Sequence, residues 1–167
     1  MESPNNIDRR EAMKRVAFLM GGTITASTLT GVMSGCTASQ EEGWTPETLS
    51  TEENELVTVI SEMIIPATDT PGAKAALVNR FIDKMMTEWY YEDERNHFLQ
   101  GLADVDSRAQ EQFGSRFVGA SEENRTQLLE ELEQEALESE DTEFTPFFSL
   151  MKELTLTGYY TSEIGMT

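Results

Sequence analysis

The most suggestive pair of chemical groups in the sequence is Glu94 and His97, which are three residues apart. The E-x-x-H spacing places a carboxylate and an imidazole on one face of a helix, as in di-iron bundles. Such a site needs this motif on two helices and two further carboxylates, but His97 is the only histidine. A serine or cysteine nucleophile would have to use the same histidine as its base. We therefore expect no catalytic, cofactor-binding or metal-binding residue, and we interpret His97 as a surface or boundary residue.

The single cysteine, Cys36, predicts a different chemistry. One cysteine excludes an internal disulfide and a multi-thiolate metal site. It follows the small residues Ser34 and Gly35 at the end of a weakly apolar stretch, a pattern typical of bacterial lipoprotein signals. The pattern implies acylation of the Cys36 thiol and cleavage before it. Two acyl chains give stable anchoring, because each buried methylene contributes about 0.8 kcal/mol.

Two adjacent arginines, Arg9 and Arg10, precede the apolar stretch, which runs from residue 16 to 33. This stretch is too short and too polar for a stable membrane span. Paired arginines before a weakly apolar core, with Lys14 following, are typical of a twin-arginine (Tat) export signal, although Ala12 stands where a bulky apolar residue is usual. We expect export by the Tat route to the periplasmic face of the bacterial envelope, and lipid anchoring there through Cys36.

The charge of the chain is strongly negative. Its net charge is −19, from 12 Lys and Arg against 31 Asp and Glu. The first 35 residues hold four cations and three acids, so the rest of the chain carries −20. Such a surface repels phosphate backbones and anionic headgroups, which makes nucleic acid a poor partner. The acidity either keeps the protein soluble or favours a partner with a basic face.

Hydrophobic spacing predicts an all-α domain, a bundle of about five helices, because apolar residues recur at helical intervals and no segment alternates with period two. Capping and turn residues place the helix ends. We expect an acidic break at residues 91–94, before the third helix. The predicted end markers are Ser50 with Glu53 and Pro66 for the first helix, Gly114 for the end of the third, Ser121 for the start of the fourth, and Thr145 with Pro146 for the start of the fifth.

The sequence therefore divides into three parts. Residues 1–35 form the export signal, residues 36–49 a polar, flexible, lipidated tether, and residues 50–167 the helical domain. Trp44 and Pro46 are predicted to mark the place where the tether docks onto the domain.

Four segments resemble the gluconate 2-dehydrogenase subunit 3 family, the small subunit of membrane-associated flavoprotein dehydrogenases. The segments at 60–73 and 152–165 are the most specific to this family. The family pattern usually continues past Thr167. The four are D-R-R-E-A-M-K-R at 8–15, I-S-E-M-I-I-P-A-T-D-T-P-G-A at 60–73, F-I-D-K-M-M at 81–86 and K-E-L-T-L-T-G-Y-Y-T-S-E-I-G at 152–165.

The resemblance implies a non-catalytic accessory subunit of an oxidoreductase complex. Its partner would be a flavoprotein of the glucose–methanol–choline (GMC) type that oxidises a sugar or sugar acid with its own FAD. Electrons would pass on to a cytochrome c or another envelope acceptor. The small subunit would assist maturation, Tat export and membrane anchoring of the flavoprotein, and it would hold no cofactor itself.

Two segments are candidates for the partner interface, the loop after the first helix and the exit of the last helix. Aromatic residues with polar neighbours suit an interface anchor, although the two tyrosines suit closure of the core equally well. Asp69 would either face the partner or cap its own turn. The residues expected at the interface are Pro66, Asp69, Pro71, Tyr159, Tyr160 and Thr161.

A stand-alone envelope lipoprotein, acting as a ligand-binding or scaffolding module, is the alternative function. It would be a monomer with an apolar pocket and no flavoprotein partner. The export route favours the escort role, because Tat typically carries proteins that acquire a cofactor before export. A bundle without a cofactor uses that route either as escort to a loaded partner or because it folds too fast for the unfolded-chain route.

Overall fold

The computed structural model describes residues 43–140 and 143–166. Within these ranges the chain forms five α-helices and one short 3-10 helix, Phe117–Gly119, and no strand, which confirms the all-α prediction. None of the described helices is both long and apolar enough to cross a membrane. The helices are α1 Thr51–Ile64, α2 Val78–Glu88, α3 Glu92–Phe113, α4 Glu122–Glu138 and α5 Phe147–Tyr160.

The signal and lipidation residues lie outside the described residues, so their roles stay predictions. They are Arg9, Arg10, Lys14 and Cys36.

Several helix ends lie where their capping residues place them. The Ser50 hydroxyl accepts the Glu53 N–H at 3.2 Å, and the Glu53 carboxylate accepts the Ser50 N–H at 2.8 Å, so the predicted capping box is confirmed. Gly114 ends α3 with a φ of 73°, and the Ser121 hydroxyl caps α4. Local chemistry is sufficient for these ends, because the two serine hydroxyls bind N–H groups that the helix leaves free and glycine adopts the positive φ that ends α3.

The predicted starts of α3 and α5 are wrong. The acidic residues 92–94 form the first turn of α3 and are not a break, because carboxylates are favourable near the positive end of a helix. The Glu94 carboxylate also accepts the Tyr91 N–H at 3.0 Å. At α5 the N-cap is Pro146 and the first helical residue is Phe147, one position later than predicted.

Helix α5 lies at the centre of the bundle, where it packs against each of the other four helices. Two glycines permit this position. A Cβ atom on Gly158 would lie 2.7 Å from the Phe81 ring of α2, and one on Gly101 of α3 would lie 2.2 Å from the Phe147 ring of α5. The two rings thus occupy the space that side chains would take. The fully buried large residues of the core include Phe98, Phe117, Leu56, Ile60, Ile82, Met86, Leu102, Leu128 and Met151.

A buried carboxylate joins the end of the tether to α2. Asp83 is 3 % exposed and accepts three backbone N–H groups. Its Oδ2 accepts from Glu47 at 2.9 Å, and its Oδ1 accepts from Thr48 at 3.0 Å and from Leu49 at 2.9 Å. Three donors compensate the cost of removing this charge from water. We call this contact the Asp83 clasp.

The contacts of residues 44–49 continue along one side of α2. The Arg80 guanidinium lies 4.9 Å from the centre of the Trp44 ring, and the hydroxyls of Thr48 and Thr87 are 2.7 Å apart. Arg80, Asp83 and Thr87 are spaced as neighbours on one helical face. The predicted docking at Trp44 is therefore confirmed, and contact with the bundle begins six residues before the predicted domain start.

Replacing Gly158 with alanine is expected to destabilise the domain by about 1 to 3 kcal/mol, because the new methyl group overlaps the Phe81 ring. Urea unfolding followed by circular dichroism measures this. Gly119→Ala is the matched control, since its Cβ would meet nothing nearer than 3.9 Å and should change stability by less than about 0.5 kcal/mol. Equal stability of both variants would contradict the close-packing interpretation, and Phe81→Leu should partly restore Gly158→Ala.

Replacing Asp83 with alanine should cost about 2 to 4 kcal/mol, because three N–H groups lose a charged acceptor. Hydrogen exchange read by mass spectrometry should show faster exchange at residues 47–49. The exposed Asp69→Ala is the control and should leave both quantities unchanged. Unaltered exchange at residues 47–49 in Asp83→Ala would show that the clasp does not hold the tether.

Candidate partner interface

The loop between α1 and α2 is held in shape by one carboxylate of α1. Glu62 Oε1 accepts the Ala67 N–H at 3.0 Å, and Oε2 accepts the Lys74 N–H at 2.7 Å. The Ala73 N–H donates to the Ile65 carbonyl at 2.9 Å, and the Ala73 side chain is fully buried. These bonds fix both ends of the loop, while Pro66 and Pro71 restrict φ within it. The loop therefore presents a preformed surface.

Tyr159 connects this loop to the exit of α5. Its hydroxyl donates to the Pro71 carbonyl at 2.8 Å, across a separation of 88 residues. The side chain is only 8 % exposed and belongs to the hydrophobic core. The two segments that sequence reasoning selected independently are thus neighbours, and Tyr159 holds them together from inside.

The other selected residues are exposed. Tyr160 is 61 % exposed, and its ring lies edge-on against that of Tyr159, with centroids 5.4 Å apart. Pro66, Asp69, Pro71 and Thr161 are exposed as well. In the part of the chain that the structure describes, the Asp69 carboxylate makes no hydrogen bond, so it does not cap its own turn. We call the loop at residues 65–77 the proline loop. An exposed aromatic ring next to Tyr159, which binds this loop, is suitable for protein contact.

The chain beyond α5 folds back over Tyr159. The Ser162 N–H and hydroxyl both donate to the Tyr159 carbonyl, at 3.0 Å and 2.6 Å. The Gly165 N–H then donates to the Ser162 hydroxyl at 3.1 Å. This turn sets the direction in which Tyr160 and Thr161 point away from the core.

The E-x-x-H pair has structural contacts. The Glu94 carboxylate caps α3, and the His97 ring stacks on Phe144, with centroids 5.0 Å apart and an angle of 15° between planes. Among the described residues no group of three or more His, Cys, Asp or Glu side chains is arranged to hold a metal ion. His97 is half-buried at the edge of the bundle, in agreement with a boundary residue.

Burial and hydrogen bonding shift the pKa values of Tyr90 and Glu131. Burial raises the pKa of Tyr90, and the nearby Glu153 and Glu94 carboxylates raise it further. Hydrogen bonds from Gln127 and Gln112 lower the pKa of Glu131. The tyrosine therefore stays protonated and the glutamate ionised at neutral pH, so neither suits proton transfer there.

Sequence reasoning missed Glu62 and Asp83, the two carboxylates that position these segments. Helical spacing could have indicated that Asp83 is buried, because it lies on the same side of α2 as the buried residues Asn79 and Met86. Its partners could not be found from spacing, since three backbone N–H groups of an irregular segment carry no sequence pattern.

Comparison with known families agrees with this organisation. The family model described as gluconate 2-dehydrogenase subunit 3 matches residues 51–167, which include all five helices, the loop after α1 and the exit of α5. No curated protein and no solved structure gives a significant match to the chain. The match covers well over half of the sequence, and the chain belongs to the gluconate 2-dehydrogenase subunit 3 family.

Proposed function

We propose that this chain is the non-catalytic small subunit of a periplasmic, FAD-dependent sugar or sugar-acid dehydrogenase complex. It assists maturation, Tat export and membrane anchoring of a GMC-type flavoprotein subunit. The observation that carries the proposal is the family match over residues 51–167, since that family is a subunit of a dehydrogenase complex. The signal features at Arg9, Arg10 and Cys36 support the export and anchoring roles.

The FAD belongs to the partner in this proposal. Dinucleotides are bound where a strand runs through a glycine-rich turn into a helix, so that backbone N–H groups meet the pyrophosphate. The described ranges contain helices, turns and loops but no strand, and so do not offer that element. Electrons from the flavoprotein would pass to a cytochrome c or another envelope acceptor.

The partner surface in this proposal is the proline loop and the exit of α5. Glu62 and Tyr159 hold these two segments in place in the isolated domain, so the surface needs little ordering when the flavoprotein binds. The exposed Tyr160 ring is the aromatic anchor, and its neighbours Pro71 and Thr161 form part of the rim.

Replacing Arg9 and Arg10 together with lysine should leave the flavoprotein in the cytoplasm, because the escort then lacks its export signal. Spheroplast fractionation with a flavin-linked activity assay measures the distribution. Arg15→Lys is the matched control, since this arginine lies in the same signal but outside the pair. Normal periplasmic flavoprotein in a strain that lacks this chain would exclude the escort role.

Replacing Tyr160 with alanine should weaken the complex with the flavoprotein about tenfold, because an exposed aromatic anchor is lost. Tyr91→Ala is the control, since Tyr91 is an exposed tyrosine outside the proposed surface. Pull-down titration of the purified full chain measures the two affinities. If both variants weaken the complex equally, or if neither weakens it, the interface lies elsewhere.

A further inference from the structure

A groove beside the proline loop contains an unusual pair of charges. It is about 490 Å³ in volume and lies between α1, the loop and the first turn of α4. Lys74 and Arg125 line it, and Arg125 Nε is buried without a hydrogen-bond partner. The remaining lining residues are Thr58, Val59, Glu62, Met63, Pro66, Glu122 and Thr126.

These two cations differ from the other Lys and Arg residues of the described ranges. Neither side chain has an ion pair or hydrogen bond there. Each of the other six contacts a carboxylate, a carbonyl or an aromatic ring. These six are Arg80, Lys84, Arg95, Arg108, Arg116 and Lys152. In a protein this acidic, two unpaired cations in one groove are a distinct feature of the surface.

The chemistry of the groove selects among anionic ligands. Glu62 and Glu122 balance the two cations locally, and the rest of the domain is acidic, so a polyanion such as nucleic acid or an anionic membrane is repelled. An ammonium and a guanidinium both bind a single carboxylate, the guanidinium through paired N–H groups. Val59, Met63 and Pro66 supply apolar contact for the neighbouring side chains.

We propose that this groove binds a segment of the partner protein that presents a single carboxylate, which pairs with Lys74 and Arg125. The inference rests on the proposed function, because the partner is the dehydrogenase subunit. Pro66 belongs both to the groove and to the proline loop, and Lys74 is held through its backbone by Glu62. The groove therefore continues the proposed interface around the loop.

Zero-length carbodiimide coupling tests the occupant directly, because it joins an amine only to a carboxylate in contact with it. Envelopes from cells that produce the full chain and the flavoprotein are treated, and peptides joined to Lys74 are identified by mass spectrometry. The expected product joins Lys74 to an Asp or Glu of the flavoprotein. Lys84 is the control amine, since it is exposed and paired with Glu88 on α2.

Reversing the charges of Lys74 and Arg125 is the second test of the proposal. Lys74→Glu with Arg125→Glu should weaken the complex about tenfold, whereas Lys84→Glu should change it less than about twofold. Circular dichroism checks the fold. Should the double variant not fold, Lys74→Gln and Arg125→Gln singly, together with the wild-type coupling product, decide the question.

Each outcome separates the groove from the proposed function. Flavoprotein that co-purifies without a Lys74 product overturns the groove inference alone. A Lys74 product with a carboxylate of a different protein, and none with the flavoprotein, overturns the choice of occupant. A product with a second copy of this chain, or with Glu41 or Glu42 of the same chain, overturns the inference. Free inorganic phosphate is added to the complex as a further measurement. If it weakens the complex as much as the charge-reversal variant does, the inference is also overturned.

Discussion

The close approach of α5 to its neighbours is the constraint on which the rest of the domain depends. The helix lies among the other four only because Gly158 and Gly101 leave room for the rings of Phe81 and Phe147. This approach places Tyr159 within hydrogen-bonding distance of Pro71 and so brings the exit of α5 to the loop after α1. Three of the family-like segments meet here, since Phe81 contacts Gly158 and Tyr159 contacts Pro71. The pattern that identifies the family is thus also the packing that forms the candidate interface.

Carboxylates do much of the positioning in this acidic domain. Asp83 binds the end of the tether, Glu62 binds both ends of the proline loop, and Asp106 accepts the Phe117 N–H at 3.0 Å while pairing with Arg116. Each of these anions accepts hydrogen bonds from backbone N–H groups of an irregular segment. In a regular helix or sheet, such N–H groups would instead bind backbone carbonyls. Part of the negative charge is therefore structural. The two cations that remain unpaired, Lys74 and Arg125, stand out against this background.

The positions of these contacts relate the bundle to its proposed role. The Asp83 clasp holds residues 47–49 at the start of the folded domain, while the Tyr159 contact and the groove both involve the proline loop. An escort subunit needs a surface that is already formed before its partner binds, because ordering a loop at that stage weakens the complex. Glu62 and Tyr159 provide such preorganisation within the described part of the chain.

Sequence patterns were sufficient to predict the all-α class, about five helices, the caps at Ser50, Gly114 and Ser121, and the family. Helical periodicity and capping are local, and a family pattern is read directly from residue order. It also selected the two segments of the candidate interface. Packing in three dimensions was needed to show that Tyr159 lies inside and Tyr160 outside, that Asp83 binds residues 47–49, and that Lys74 and Arg125 line one groove. These contacts join residues that are tens of positions apart. Their partners are set by how closely the helices pack, and that distance is not encoded in the spacing of any single segment.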